Sequence, residues 1–225
     1  MKLLFKYPTR ERFEWFKTTL EQYYELLSGK HEWRFVVTLD DNDPQMNSDD
    51  AKFFMEGFRF LEFHYGRHVS KVDAINSGMD RWLAEWDWDV LILVSDDMLP
   101  QVKGYDDIIA KDMQKHFPDM DGALHYDDGL YGKDKCITLS IMGRRMFEHF
   151  GYIYHPAYKS FFCDNEFTES VYALEKCVFV PKVIIRHDWR GHHRPDTLYR
   201  RNSMMGRDDE ETYNTRRAAG FPTAC

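Results

Sequence analysis

The stretch Asp89–Val94 (DVLILV) constrains the fold of this chain more than any other. A continuous apolar run of strand length is what a β-strand needs when both faces of its sheet are covered by helices, as in parallel sheets. The run leads straight into Ser95, Asp96 and Asp97. Two upstream segments repeat this pattern of strand followed by polar loop. Lys2–Tyr7 reads as a strand closed by Pro8, with Thr9 as a helix cap before the amphipathic segment Arg10–Ser28. Trp33–Leu39 (WRFVVTL) reads as a second strand, ending in Asp40, Asp41, Asn42, Asp43 and Pro44. Between the second and third strands, Ser70–Trp86 carries Val72, Ile75, Met79, Trp82 and Leu83 at the spacing of one helix face. Strands alternating with helices predict an α/β fold, with a central, mostly parallel sheet flanked by helices. Its ligands should bind beyond the carboxyl ends of the strands.

The second half is less regular. Tyr105–His116 and Asn165–Leu174 read as helices, Ile137–Met142 and Val178–Ile185 as strands, and Ala51–Glu62 as helix or irregular chain. Beyond Arg186 the sequence turns polar and arginine-rich. Without a repeat, a low-complexity block or a clear linker, the simplest organisation is one domain over 1–201, with an extension over 202–225 packing on or near the active site.

A chain of 225 residues buries roughly 70% of the surface it exposes when unfolded, enough for a sizeable core. A net charge of -8 argues against a general affinity for nucleic acid or acidic membranes, which requires a cationic surface. The cysteines Cys136, Cys163, Cys177 and Cys225 show neither CxxC spacing nor a disulfide-dense pattern, and read as reduced thiols. No window reaches the ~18 apolar residues of a membrane span, and the apolar patch near Met1 is too short for a signal-peptide core. A cytoplasmic location is the expectation.

Chemistry-bearing residues cluster at the strand ends. Adjacent carboxylates such as Asp96 and Asp97 repel unless solvent, a donor or a cation compensates them. Mg²⁺ or Mn²⁺ suits such a pair, with phosphate oxygens and water as the remaining ligands. A capped loop after a strand is the competing interpretation. LDDND can accept hydrogen bonds from a nucleotide base or ribose, or simply close an Asx turn. SKVDAINSG places Lys71 and Asn76 near the start of a helix. In FFCDNEF, Asp164 and Glu166 lie among aromatics, where a carboxylate can serve as a general base or favour a helix N-terminus. His187, in VIIRHDWRGHH, reads as a structural histidine or as a ligand completing a metal shell begun by Asp97. Arg190, Arg194, Arg200 and Arg201 can clamp phosphates or pair with the acidic run Asp208–Glu211.

Taken in order, PTR after the first strand, DD after the second, KxxAxNxG on a helix, then SDD, DNEF and a late histidine resemble glycosyltransferase family 2 and related GT-A enzymes over roughly Leu3–Arg201. The resemblance implies a Rossmann-like GT-A domain and an enzyme of the hexosyl- and pentosyltransferase class. Such an enzyme moves a sugar from a nucleoside-diphosphate donor, with UDP as the expected carrier, to an acceptor hydroxyl with inversion. The donor-binding set it implies is Pro8, Thr9, Arg10, Asp41, Lys71, Asn76, Ser95, Asp96, Arg200 and Arg201. Within that set, Thr9, Asp41 and Lys71 face the base and Asp96 the ribose. Asp97 and His187 would hold Mn²⁺ or Mg²⁺, and Asp164, then Glu166, would be the catalytic base. This sequence has SDD in place of DxD and DNE in place of EDxE, which leaves open the division of labour within each acidic pair. The acceptor, whether a glycan, a protein or a modified nucleic-acid base, is not specified. A nucleotidyltransferase and a non-catalytic nucleotide-sugar-binding module are the competing functions.

Overall fold

The computed structural model describes residues 1–130, 132, 136–188 and 197–221. Arg190, Arg194 and Cys225 lie outside the described residues. Nine strands are described: β1 (Lys2–Pro8), β2 (Glu32–Asp40), β3 (Leu61–Gly66), β4 (Val90–Leu93), β5 (Met98–Pro100), β6 (Ala123–Tyr126), β7 (Ile141–Gly143), β8 (Cys177–Val180) and β9 (Ile185–His187). Seven of them form one sheet in the order β3-β2-β1-β4-β7-β6-β8. β1 runs parallel to β2 and β4, β2 to β3, and β6 to β8, while β7 is antiparallel to both neighbours. β5 and β9 form a separate antiparallel pair.

The helices are α1 (Phe13–Glu25), α2 (Asp49–Glu56), α3 (Lys71–Asn76), α4 (Met79–Glu85), α5 (Tyr105–His116), α6 (Arg144–Phe150), α7 (Cys163–Ala173), α8 (Thr197–Ser203) and α9 (Gly206–Ala218). Alternate residues of β1 feed two cores, the consequence of a side-chain period of two in a sheet covered on both faces. Leu3, Phe5 and Tyr7 pack with buried residues of α1, α2 and α5; Leu4 packs with those of α3, α4, α6 and α7. Phe5 stacks on Phe35 of β2 at 4.4 Å between ring centroids, with Tyr23 of α1 and Tyr105 of α5 at the edges of this aromatic cluster. No helix among the described residues is long and apolar enough to cross a membrane.

Several sequence expectations change. Thr9 does not cap α1, whose N-cap is Arg12, and Ala51–Glu62 divides between α2 and the start of β3, a strand the sequence pattern does not show. The helix over Ser70–Trp86 is two helices, because Gly78 takes a left-handed conformation (φ 76°) that breaks the helix and starts α4. The strand over Val178–Ile185 is also two: β8 ends before Pro181, which has no N–H for a ladder, and β9 joins a different sheet. Of Ile137–Met142, only the end enters β7.

Candidate active site

The carboxyl ends of β1, β2 and β4 open into a cavity of about 710 Å³, closed on its far side by the loop before α7 and by α8. The turn after β4 is tightly held. The Thr9 hydroxyl donates to the Asp96 carboxylate (3.0 Å), and the Thr19 hydroxyl of α1 donates to the Asp96 carbonyl (2.9 Å). Burial, with Asp97 alongside, pushes the Asp96 carboxyl up to about 7, against the pull of Arg12 and the hydroxyls of Thr9 and Tyr7.

Asp97 faces the other way. Ser95 Oγ donates to its Oδ1 (2.5 Å), and His187 Nε2 lies 3.7 Å from Oδ2. The β5–β9 pair makes this encounter, since Met98 and His187 are register partners and the Asp188 amide donates to the Asp97 carbonyl (2.7 Å). On its other edge, His187 Nδ1 is 3.7 Å from Oδ2 of Asp128, a buried residue that also receives the Thr138 hydroxyl (2.6 Å). Burial alone would lower the His187 pKa, but Asp128 and Asp97 outweigh it and raise it to about 9. Burial likewise opposes ionisation of Asp97, yet His187, Ser95 and the charge of Lys71 hold its carboxyl well below the usual range.

Two ligand atoms each about 2.1–2.2 Å from one cation can be up to roughly 4.3 Å apart, so Asp97 Oδ2 and His187 Nε2 fit a shared Mn²⁺ or Mg²⁺. Asp128 behind the imidazole matches the carboxylate that orients metal-binding histidines. No group of three or more His, Cys, Asp or Glu able to hold a metal occurs among the described residues. Water and phosphate oxygens would supply the other ligands.

Pro8, Thr9, Arg10, Lys71, Ser95, Asp96, Asp97, Asp164, His187 and Arg201 all line the cavity. Four other candidates do not. Asp41 points outward and pairs with Arg67 (3.0 Å). Asn76 is committed to the chain at Ile153–Tyr154, donating to the Tyr154 carbonyl (2.7 Å) and accepting from both amides. Glu166 is buried and bound by Arg216 through two bonds of 2.7 Å, with the Tyr158 hydroxyl also at 2.7 Å. Arg200 is exposed and lies outside the lining. Asp164 stands in the first turn of α7, where Cys136 Sγ is 3.8 Å from its Oδ2.

Sequence reasoning missed Arg12, His68, Asp128 and Tyr199, and within LDDND it singled out Asp41 rather than Asp40. Asp40, not Asp41, lines the cavity: it binds Arg10 and receives His68 Nδ1 (3.0 Å) and the His68 amide (3.1 Å). Burial opposes its charge, but these donors win and lower it to about 2. Asp128 follows β6 as Asp96 follows β4, so the repeated order of strand then DD (LHYDD) was the available signal.

No family model matches the chain, and no curated protein matches it in sequence. Solved structures do match. One is a mannosyltransferase, PcManGT from Pyrobaculum calidifontis, with GDP-Man and Mn²⁺: 14% identity, TM-score 0.64, covering 85% of this chain and 58% of that one. Another is S. aureus TarS with UDP-GlcNAc: 14% identity, TM-score 0.64, covering 83% and 58%. A third is a Drosophila β-1,4-galactosyltransferase 7 mutant with manganese, UDP-Gal and xylobiose: 15% identity, TM-score 0.54, covering 86% and 73%. The chain thus spans about three-fifths of the length of the first two. Likeness at these identities speaks to architecture, and the architecture of this chain is the GT-A fold.

Proposed function

We propose that the protein is a glycosyltransferase that moves a sugar from a nucleoside diphosphate, UDP first among the candidates, to an acceptor hydroxyl with inversion at the anomeric carbon. One observation carries this reading: a single cavity at the sheet's carboxyl edge gathers Thr9, Asp40 and Asp96, the cations Arg10, Arg12, Lys71 and Arg201, the Asp97–His187 pair, and Asp164. The nucleotide sugars held by structures of the same fold support it.

In this reading Asp40 takes the base-facing role expected of Asp41, while Asp96, oriented by Thr9, faces the ribose. Asp97 and His187 would hold Mn²⁺ or Mg²⁺, whose charge, when bound, stabilises the leaving diphosphate. Lys71 and the arginines add fixed positive charge where negative charge develops. Asp164 accepts the proton of the acceptor hydroxyl as its oxygen attacks the anomeric carbon; Glu166 is already committed to Arg216 and Tyr158.

The test is donor hydrolysis and transfer with UDP- and GDP-sugars, with and without EDTA. Activity lost in the chelator and restored by excess Mn²⁺ or Mg²⁺ is the expected result. Full activity in EDTA would reject the metal role, and donor binding without turnover would identify a non-catalytic module.

A further inference from the structure

α8 crosses one side of the cavity, with Leu198, Tyr199, Arg201 and Asn202 in the lining, and it is held from both directions. On the C-terminal side, α9 is anchored to the chain before α7: the buried Asp209 carboxylate accepts the backbone amides of Lys159, Ser160 and Phe161, each at 2.8 Å. On the other side, Arg201 reaches the loop after β1, where its Nη1 donates to Glu11 Oε1 (2.9 Å). Arg10 Nε donates to the same oxygen (3.2 Å) while its Nη1 holds Asp40. Two guanidinium groups from opposite walls of the cavity therefore meet on one carboxylate oxygen.

The backbone at Glu11 bears a cost to make this possible. Its φ is 57°, a left-handed conformation rare for a residue with a side chain. The conformation is pinned because the Glu11 amide donates to the buried Asp43 carboxylate (2.7 Å), which also caps the turn through the Gln45 amide (3.0 Å). Strain held this firmly points to a task for the side chain it orients.

We infer that Glu11 is a positioning residue, which fastens α8 to the loop after β1 and so holds Arg10 and Arg201 over the diphosphate of a bound donor. The inference rests on the nucleotide-sugar reading for its ligand. The Arg201–Glu11 pair is a gate: it opens for the nucleotide to enter and closes to retain it, as lid segments do in enzymes limited by product release.

The experiment compares the full chain with Glu11→Gln, Arg201→Gln and the double variant. Glu11→Gln keeps the side-chain shape and the amide bond to Asp43, so it removes charge without removing the turn. Without ligand, amide hydrogen exchange over Thr197–Ser203 should quicken about threefold in each single variant, the scale of a part-exposed ion pair, and no further in the double variant. With UDP and Mn²⁺, the UDP dissociation rate of Glu11→Gln should rise by about the same factor. Exchange equal to that of the parent in both single variants would overturn the latch. Quickened exchange with unchanged UDP dissociation would overturn its positioning role. Should the parent protein bind neither UDP nor GDP, the nucleotide-sugar reading fails, and the exchange data alone judge the latch.

Discussion

Lys6 sits in the middle of β1 with no exposed surface, its ammonium donating to the Thr38 hydroxyl and to the Ser77 carbonyl (2.6 Å). Its second bond meets a carbonyl left over where α3 breaks, next to Gly78, so a residue that reads as a lone charge in LLFKYP serves a helix end. Burial lowers its pKa from 10.5 to about 7. Between those values the unfolded chain holds the proton and the folded protein does not, so stability conferred at this position rises with pH over that window. Melting temperatures of the parent and Lys6→Met should therefore diverge in the parent's favour as the pH is raised from 7 towards 10; parallel curves would exclude the shifted lysine. Asp164 poses the complementary question, since it lines the cavity and lies close to Cys136. Asp164→Asn should cut turnover about a hundredfold or more with donor affinity kept, the cost of losing a general base. Equal turnover would remove it from the chemistry.

Among the elements, α9 shows what the sequence could not reveal. Its polar composition hides the bonds to α7, which are made by polar and ionic side chains: Arg216 on Glu166, and Tyr213 and Arg217 on Glu169. The sequence supports no more than an extension packing on or near the active site, because nothing local shows that Asp209 is buried and caps three amides. The same blindness made Glu166 a candidate base, when its partner lies 50 residues away. Arg216→Ala leaves Glu166 buried without its counter-charge and should cost about 3 kcal/mol. A urea titration that reads the midpoint would register the loss. Arg216→Lys should recover only part of it, since an ammonium cannot bind both carboxylate oxygens side by side. A midpoint unchanged in Arg216→Ala would show that the pair does not hold α9 in place.

For the molecule as a whole, β1, β2 and β4 were legible because each leads into polar residues that line the cavity: Pro8–Arg10, Asp40 and Ser95–Asp97 stand where a parallel sheet delivers them, whereas β3 carries no such signal. In the second half α5 and α7 were legible but the strands were not, because β6, β7 and β9 are three or four residues long and take their places through long-range pairing. His187 was found by its proximity in sequence to an apolar run, and its meeting with Asp97 depends on a two-stranded pairing that no local pattern announces. The site therefore joins the two halves of the fold, with Asp97 from the first and His187 and Asp128 from the second. A cation bridging Asp97, His187 and a diphosphate would tie these halves together, so ligand binding should register as global stability rather than as a local change. UDP and Mn²⁺ together should raise the melting temperature more than the sum of their separate effects, because each supplies ligands or charge that the other's site lacks. At a hundredfold excess over Kd the stabilisation is about 2.7 kcal/mol, or roughly 5–10 °C for a domain of this size. Asp97→Asn should abolish the excess while leaving any shift from UDP alone, and strictly additive shifts in the parent protein would mean that cation and nucleotide do not meet at this pair.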